Sequence, residues 1–210
     1  MTSGGAADPS LQRDIDALAV PGLLIGHRLI LLGDENALLD EEAASIVSPV
    51  VTVRRASGAA RIVARALLAQ LGLPDCAIPK GAGGAPVWPA GIAGSLAHDD
   101  TIAVAAVGMQ REFGAVGIDI EPAVMLQPDM LELIATPQEL RKIADDPLGG
   151  KLLFAAKEAV YKAVYPLDGV FLEYRDIEAD LAARKAVTRS GRVLALRYCV
   201  SSHVLVLALA

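Results

Sequence analysis

The chain has 210 residues, a formal net charge of −6, 53% hydrophobic residues and only 4% aromatic ones. That length suits one domain or two small halves sharing a core, and the hydrophobic fraction excludes an intrinsically disordered chain. The acidic balance argues against a nucleic-acid binder held by general charge attraction, and Cys76 and Cys199 alone make neither a disulfide framework nor a zinc cluster. There is no uninterrupted run of about 20 apolar residues and no charged-then-apolar leader, so the expectation is a cytoplasmic protein that does not enter a membrane.

In chain order, the Gly/Ala/Asp-rich residues 1–19 read as a mobile N-terminus. The apolar run Leu23–Leu32 predicts a strand, and Asp40-Glu41-Glu42 opens a short helix with acids where the helix dipole favours them. A longer helix is predicted over 53–71, stopped by Gly72 and Pro74. The glycine- and proline-rich residues 79–97 read as one long ordered loop or as no loop at all. Ile102–Val107 and Gly114–Glu121 read as strands, and Pro128 and Pro137 mark helix starts. A helix over 149–164 has its apolar stripe on Leu152, Leu153, Ala156, Val160 and Val164, with Pro166 ending it. The tail, 170–209, alternates strand-like segments around a turn at Gly191.

Charge is uneven. Between Ala43 and His98 the bases Arg54, Arg55, Arg61, Arg65 and Lys80 face a single acid, Asp75, so this segment is +4 and the remainder −10. A short basic segment in an acidic chain suits a phosphorylated small molecule better than a duplex.

Four constellations could carry chemistry. In Gly117-Ile118-Asp119-Ile120-Glu121-Pro122 the strand period puts Asp119 and Glu121 on one face, about 6–7 Å apart, where they could share a hard cation. In Phe154-Ala155-Ala156-Lys157-Glu158-Ala159-Val160-Tyr161-Lys162, Glu158 and Lys162 share a helix face, and Lys157 lies about 100° round the axis from Glu158. The acid could bind metal or take a proton and the lysines could bind phosphate; the plainer reading is a solvated ion pair. The stretch from Trp88 to His98 offers glycines that admit a close phosphate, with His98 as a donor to it. The basic helix offers Arg61 and Arg65 four residues apart, with Arg54 on a neighbouring turn.

Order and spacing resolve what each piece leaves open. GIDIEP resembles the G-[IV]-D-x-E motif of the 4′-phosphopantetheinyl transferases, and FAAKEAVYKA resembles their F-[SA]-x-K-E-x-x-Y-K motif about 33 residues downstream. APVWPAGIAGSLAH resembles the family's P-x-W-P-x-G-x-x-G-S-x-[ST]-H segment, and the likeness is to the short bacterial siderophore- and polyketide-type subgroup. The family's R-R-x-E-F-x-x-x-R helix is altered: Ser57-Gly58 replaces Glu-Phe, and the span to Arg61 is one residue shorter.

The resemblance implies an α+β fold of two pseudo-twofold-related α/β halves with the coenzyme cleft between them. Residues 20–112 would form the half on the coenzyme A 3′-phosphate and adenine side, and 113–210 the metal and catalytic half, in one structural unit. It implies transfer of 4′-phosphopantetheine from coenzyme A to a serine of an apo acyl or peptidyl carrier protein, with release of 3′,5′-ADP. The carriers would belong to polyketide synthases, nonribosomal peptide synthetases or fatty acid synthases, and the enzyme would be a monomer. Asp119, Glu121 and Glu158 match the family's Mg2+ ligands, a site where Mn2+ could also serve. Glu158 matches the proposed base, working with Lys162 and Asp119. Lys157 and Lys162 match lysines at the pyrophosphate. Arg54 or Arg55, with Arg61, Lys80, Ser95 and His98, matches the end that holds the 3′-phosphorylated ADP. A coenzyme A sensor without turnover and a Mg-dependent phosphoanhydride hydrolase would use many of the same residues.

Overall fold

The computed structural model describes residues 8–210. The expected mobile N-terminus, 1–19, is corrected from Pro9 onward, while 1–7 lie outside the described residues. Helix α1 spans Pro9–Ala17; Asp8 caps it by accepting from the amides of Ser10 and Leu11. Leu11, Ile15 and Leu18 are buried, because they recur at helical spacing and meet a core.

Two antiparallel sheets follow. Strands β1 (Leu23–Leu29), β2 (Ile92–His98) and β3 (Ile102–Met109) form a three-stranded sheet in the order β1-β3-β2. Strands β4 (Val116–Pro122), β5 (Ile177–Asp180), β6 (Lys185–Thr188), β7 (Val193–Val200) and β8 (His203–Leu209) form a five-stranded sheet in the order β4-β8-β7-β6-β5. The edge strands β2 and β4 run close to one another without pairing.

Period-two alternation decides what each face covers. Ala93 and Ala97 of β2, Ile102, Val104 and Ala106 of β3, Ile118 and Ile120 of β4, and Leu205 and Leu207 of β8 share one core with α1. The opposite faces each carry a 20-residue helix: α3 (Val51–Gln70) on the first sheet and α6 (Gly149–Asp168) on the second. Short helices α2 (Asp40–Ser45), α4 (Pro128–Ile134) and α5 (Pro137–Ile143) complete the chain, and prolines open the last two as expected. The result is an α+β fold with one sheet and one long helix in each half.

Two glycines permit close approach. A Cβ on Gly117 would lie 1.8 Å from the Ala159 carbonyl oxygen, so β4 and α6 touch backbone to backbone there. A Cβ on Gly58 would lie 2.0 Å from the Asp34 carbonyl oxygen, which explains why α3 carries Gly58 against the one-turn helix Asp34–Ala37.

Two sequence expectations are corrected. Residues 79–97 are not all loop: alternation from Ile92 makes β2, and the irregular part ends before it. Pro166 does not end α6, which runs to Asp168 and stops where Gly169 adopts φ 63° and donates its amide to Tyr165.

Candidate active site

A cleft of about 560 Å³ opens between α3 and α6. The first half contributes Ser45 from the end of α2, Ser48 from the α2–α3 connection, Ser57 and Arg61 from α3, the segment around Lys80–Pro86, and Ser95 and His98 from β2. The second half contributes Glu158, Tyr161, Lys162 and Tyr165 from α6. Two stretches far apart in sequence thus meet across one polar cavity.

The first-half wall is built rigidly. Arg61 is buried, donating from Nε to the Ile78 carbonyl at 2.7 Å and from Nη1 to the Ser57 carbonyl. Fully buried Glu42 accepts from the Ile78 amide at 2.9 Å and from Arg65, so both ends of Ile78 are held. The Lys80 amide donates to the Ser45 hydroxyl, fixing the chain as it enters the glycine-rich segment. Gly83, at φ 64°, lies over the Tyr165 hydroxyl of the other half, where a Cβ would clash. Ser95 is buried, and His98 stands at the rim. Desolvation, with Lys162 adding repulsion, lowers the His98 pKa against the opposing effect of Asp99 and Asp100. Asp99 turns away from the cleft: it accepts from the Thr101 and Ile102 amides and pairs with His203 of the other half at 3.0 Å.

On the second-half wall, Asp119 and Glu121 both point to the α6 face of β4, as the strand period predicts. Lys162 Nζ lies 2.6 Å from Asp119 Oδ1, Lys151 Nζ lies 3.0 Å from Glu121 Oε2, and the Tyr174 hydroxyl donates to Glu158 Oε1 at 2.7 Å. Burial is the main cause that pushes the Asp119 pKa up to about 6, opposed by Lys162 and reinforced by Glu121 and Glu158. Burial also raises the Tyr174 pKa, and Glu158 adds to it, so the phenol stays a donor.

Whether these acids suit a hard cation can be tested on the donor set. All are carboxylates, and Asp119 Oδ2 is buried with no hydrogen-bond partner among the described residues, an open ligand position at the centre of the row. The chemistry therefore fits. The geometry is not a closed cage: among the described residues no three His, Cys, Asp or Glu side chains converge as a metal set, because Lys162, Lys151 and Tyr174 each hold one acid.

Three expected coenzyme contacts are corrected. Lys157 does not face the cleft: it is fully buried, and its ammonium donates to Glu139 at 2.8 Å and to the Ile134 and Tyr174 carbonyls. The cause is its place on the apolar stripe, four residues after Leu153 and three before Val160. Arg55 is paired with Glu35, and Arg54 donates to the Ser48 carbonyl; neither lines the cleft.

Lys151, Tyr174 and Tyr165 were not singled out by the motifs. Lys151, Glu158 and Lys162 stand at i, i+7 and i+11, within about 40° of one line along a helix, so the α6 period held the signal for Lys151. Nothing local marks Tyr174, which arrives from a one-turn helix beyond the end of α6. A second cavity, of about 480 Å³, lies on the other side of Glu158 and Tyr161, walled by Leu133, Phe171, Leu172 and Tyr174.

Paired sheets with a long helix each meet at a cleft lined by Arg61, Lys80 and His98 on one wall and by Glu158 and Lys162 on the other, with Asp119 behind Lys162. The chain belongs to the 4′-phosphopantetheinyl transferase superfamily: that superfamily's sequence model matches residues 115–208, and the 4′-phosphopantetheinyl transferase N-terminal domain model matches 41–108. It is 42% identical over 149 residues to 4′-phosphopantetheinyl transferase Npt of Nocardia iowensis, covering 70% of this chain and 67% of that one. It is 39% identical over 145 residues to 4′-phosphopantetheinyl transferase PptT of Mycobacterium tuberculosis, covering 66% and 63%, and 31% identical over 128 residues to enterobactin synthase component D of Escherichia coli, covering 58% and 60%. The chain thus spans about two thirds or less of the length of these relatives.

Proposed function

We infer that this protein transfers the 4′-phosphopantetheine group of coenzyme A to a serine hydroxyl of an apo acyl or peptidyl carrier protein, releasing 3′,5′-ADP. The observation that carries the reading is the meeting of Arg61, Lys80, Ser95 and His98 with Glu158 and Lys162 across one cleft, in a chain of this superfamily. Coenzyme A has phosphate at two places, and the cleft has cationic groups from both halves to receive them.

On this reading Arg61, Lys80, Ser95 and His98 bind the 3′-phosphorylated ADP end. Lys162 lies at the pyrophosphate end and adds positive charge there as the bridging oxygen leaves. Glu158 accepts the proton of the carrier serine as its oxygen attacks phosphorus. Asp119, through its buried pairing with Lys162, fixes where that ammonium stands. Mg2+, or Mn2+ in its place, would be held by Asp119, Glu121 and Glu158, and when bound it supplies charge neutralisation at the pyrophosphate. The cavity beside Glu158 offers Leu133, Phe171, Leu172 and Ile177 to the uncharged pantetheine arm, with Lys157, Glu173 and Arg175 also on its wall. Polyketide, nonribosomal peptide and fatty acid synthases are the carrier sources proposed, in the cytoplasm, with the enzyme acting as a monomer. No helix among the described residues is long and apolar enough to cross a membrane.

The test is direct. Apo carrier proteins are incubated with the enzyme, coenzyme A and Mg2+, and each carrier is weighed. A mass gain of one phosphopantetheine on at least one carrier is expected, and it should vanish with Asp119→Ala. No gain on any carrier, or release of 3′,5′-ADP without one, would overturn the reading.

A further inference from the structure

Glu158 is the acid on which the reading above places proton transfer, and its side chain is only half-buried on a helix face beside two cavities. A glutamate so placed has three rotatable bonds, and nothing on its own helix holds it. The group that does is the Tyr174 hydroxyl, 2.7 Å from Oε1. Tyr174 is in turn held twice. Its ring packs against Phe154, centroid to centroid 5.7 Å, and its carbonyl accepts from Lys157 Nζ at 3.0 Å.

Lys157 is itself immobile. It is fully buried and donates to Glu139, whose other oxygen accepts from the Ala179 amide at 2.8 Å and whose paired oxygen also accepts from the Thr136 amide. Adjacent residues of one helix therefore reach the same tyrosine from opposite directions: Lys157 through the core to its backbone, and Glu158 over the surface to its hydroxyl.

We propose that Tyr174 is a positioning residue for Glu158, that Lys157 acts on Glu158 only through Tyr174, and that this is why a lysine sits in the core beside the reacting acid. By occupying Oε1, the phenol leaves Oε2 to take the serine proton on that reading. The proposal rests on the transferase reading for Glu158's role, but the contact itself can be tested without turnover.

Tyr174→Phe removes one oxygen and keeps the ring pair, so the fold should survive. The expected result is a kcat for carrier modification about tenfold lower, the scale of one hydrogen bond to a charged group, and a smaller change in the KM and calorimetric Kd for coenzyme A, because the ring that walls the second cavity is kept. Lys157→Gln with Glu139→Gln, which leaves no lone buried charge, should lower kcat by a similar factor and give no further loss when combined with Tyr174→Phe. For a readout free of turnover, 3-fluorotyrosine is incorporated at the four tyrosines. The 19F resonance that Tyr174→Phe deletes should move in Glu158→Ala. An unchanged kcat in Tyr174→Phe, a loss confined to KM, or a Tyr174 resonance indifferent to Glu158→Ala would overturn the proposal. If the parent enzyme modifies no carrier the transferase reading fails, and the 19F experiment still decides whether Tyr174 holds Glu158.

Discussion

Asp119 carries a charge where the protein disfavours it. Its pKa, pushed up from 3.8 to about 6 chiefly by burial, means the folded metal-free chain binds a proton there more tightly than the unfolded chain. Stability contributed by this group is therefore greatest below about pH 4 and is lost as pH rises through 6. Asp119→Asn should raise the stability of the metal-free protein at pH 8, by up to about 3 kcal/mol, and the gain over the parent should close as pH falls from 6 to 4. Urea unfolding across that range checks it, and the same variant should transfer no phosphopantetheine. Lys157 and Lys162 separate by the same kind of reasoning. Lys157→Met strands Glu139 in the core and should cost about 3–5 kcal/mol, whereas Lys162→Met, at a partly exposed position, should cost much less in folding and more in kcat. The difference was readable in the chain. Lys157 falls on the stripe with Leu153, Val160 and Val164, while Lys162 falls in line with Lys151 and Glu158. What could not be read was the partner: Glu139 caps α5, and the buried lysine meets it only after folding.

Among the elements, β4 and α6 carry the acids and Lys162 of the second half, and Gly117 sets their separation. Gly117→Ala puts a methyl group against the Ala159 carbonyl, which a backbone cannot yield to without moving α6. It should destabilise by about 3 kcal/mol or more and displace Glu158 and Lys162 from Asp119, so activity should fall even where the variant folds. Thermal melting and kcat measured together check this. The strand, the helix and the spacing between them were legible from period and motif. The stretch before β3 was not: its glycines and prolines masked the alternation of Ile92, Gly94 and Leu96 against Ala93, Ser95 and Ala97. Pro166 misled for a related reason, since a proline near a helix end removes one donor but leaves the turn's other bonds in place. Helix α1 was hidden because its composition is that of a tail, and only the core it meets gives Leu11, Ile15 and Leu18 somewhere to go.

For the molecule as a whole, net charge conceals a pattern. The basic stretch from Ala43 to His98 holds much of its charge in pairs, Arg55 with Glu35 and Arg65 with Glu42, so the cations it leaves for the cleft are Arg61 and Lys80, and the second half adds Lys162, itself paired with Asp119. Coenzyme binding should therefore be salt-sensitive but modestly so, with KM rising severalfold between 50 mM and 500 mM salt while kcat holds. Saturating coenzyme A should also slow amide hydrogen exchange on both sides of the cleft, in α3 and β2 as well as α6; protection confined to one half would contradict a ligand bridging both. The family was legible in three motifs, whereas the route by which the halves join was not, because no motif records which sheet faces touch.

That junction has a consequence for how the chain could be divided. Every strand ladder closes within residues 23–109 or within 116–209, and β2 and β4 lie near each other without exchanging backbone hydrogen bonds. A cut between Met109 and Val116 would break no ladder, and the two pieces would meet again through the apolar core they share and through contacts such as His203 with Asp99. Two fragments divided there should therefore recombine when mixed, and a thermal transition that matches the intact chain's on mixing would check it.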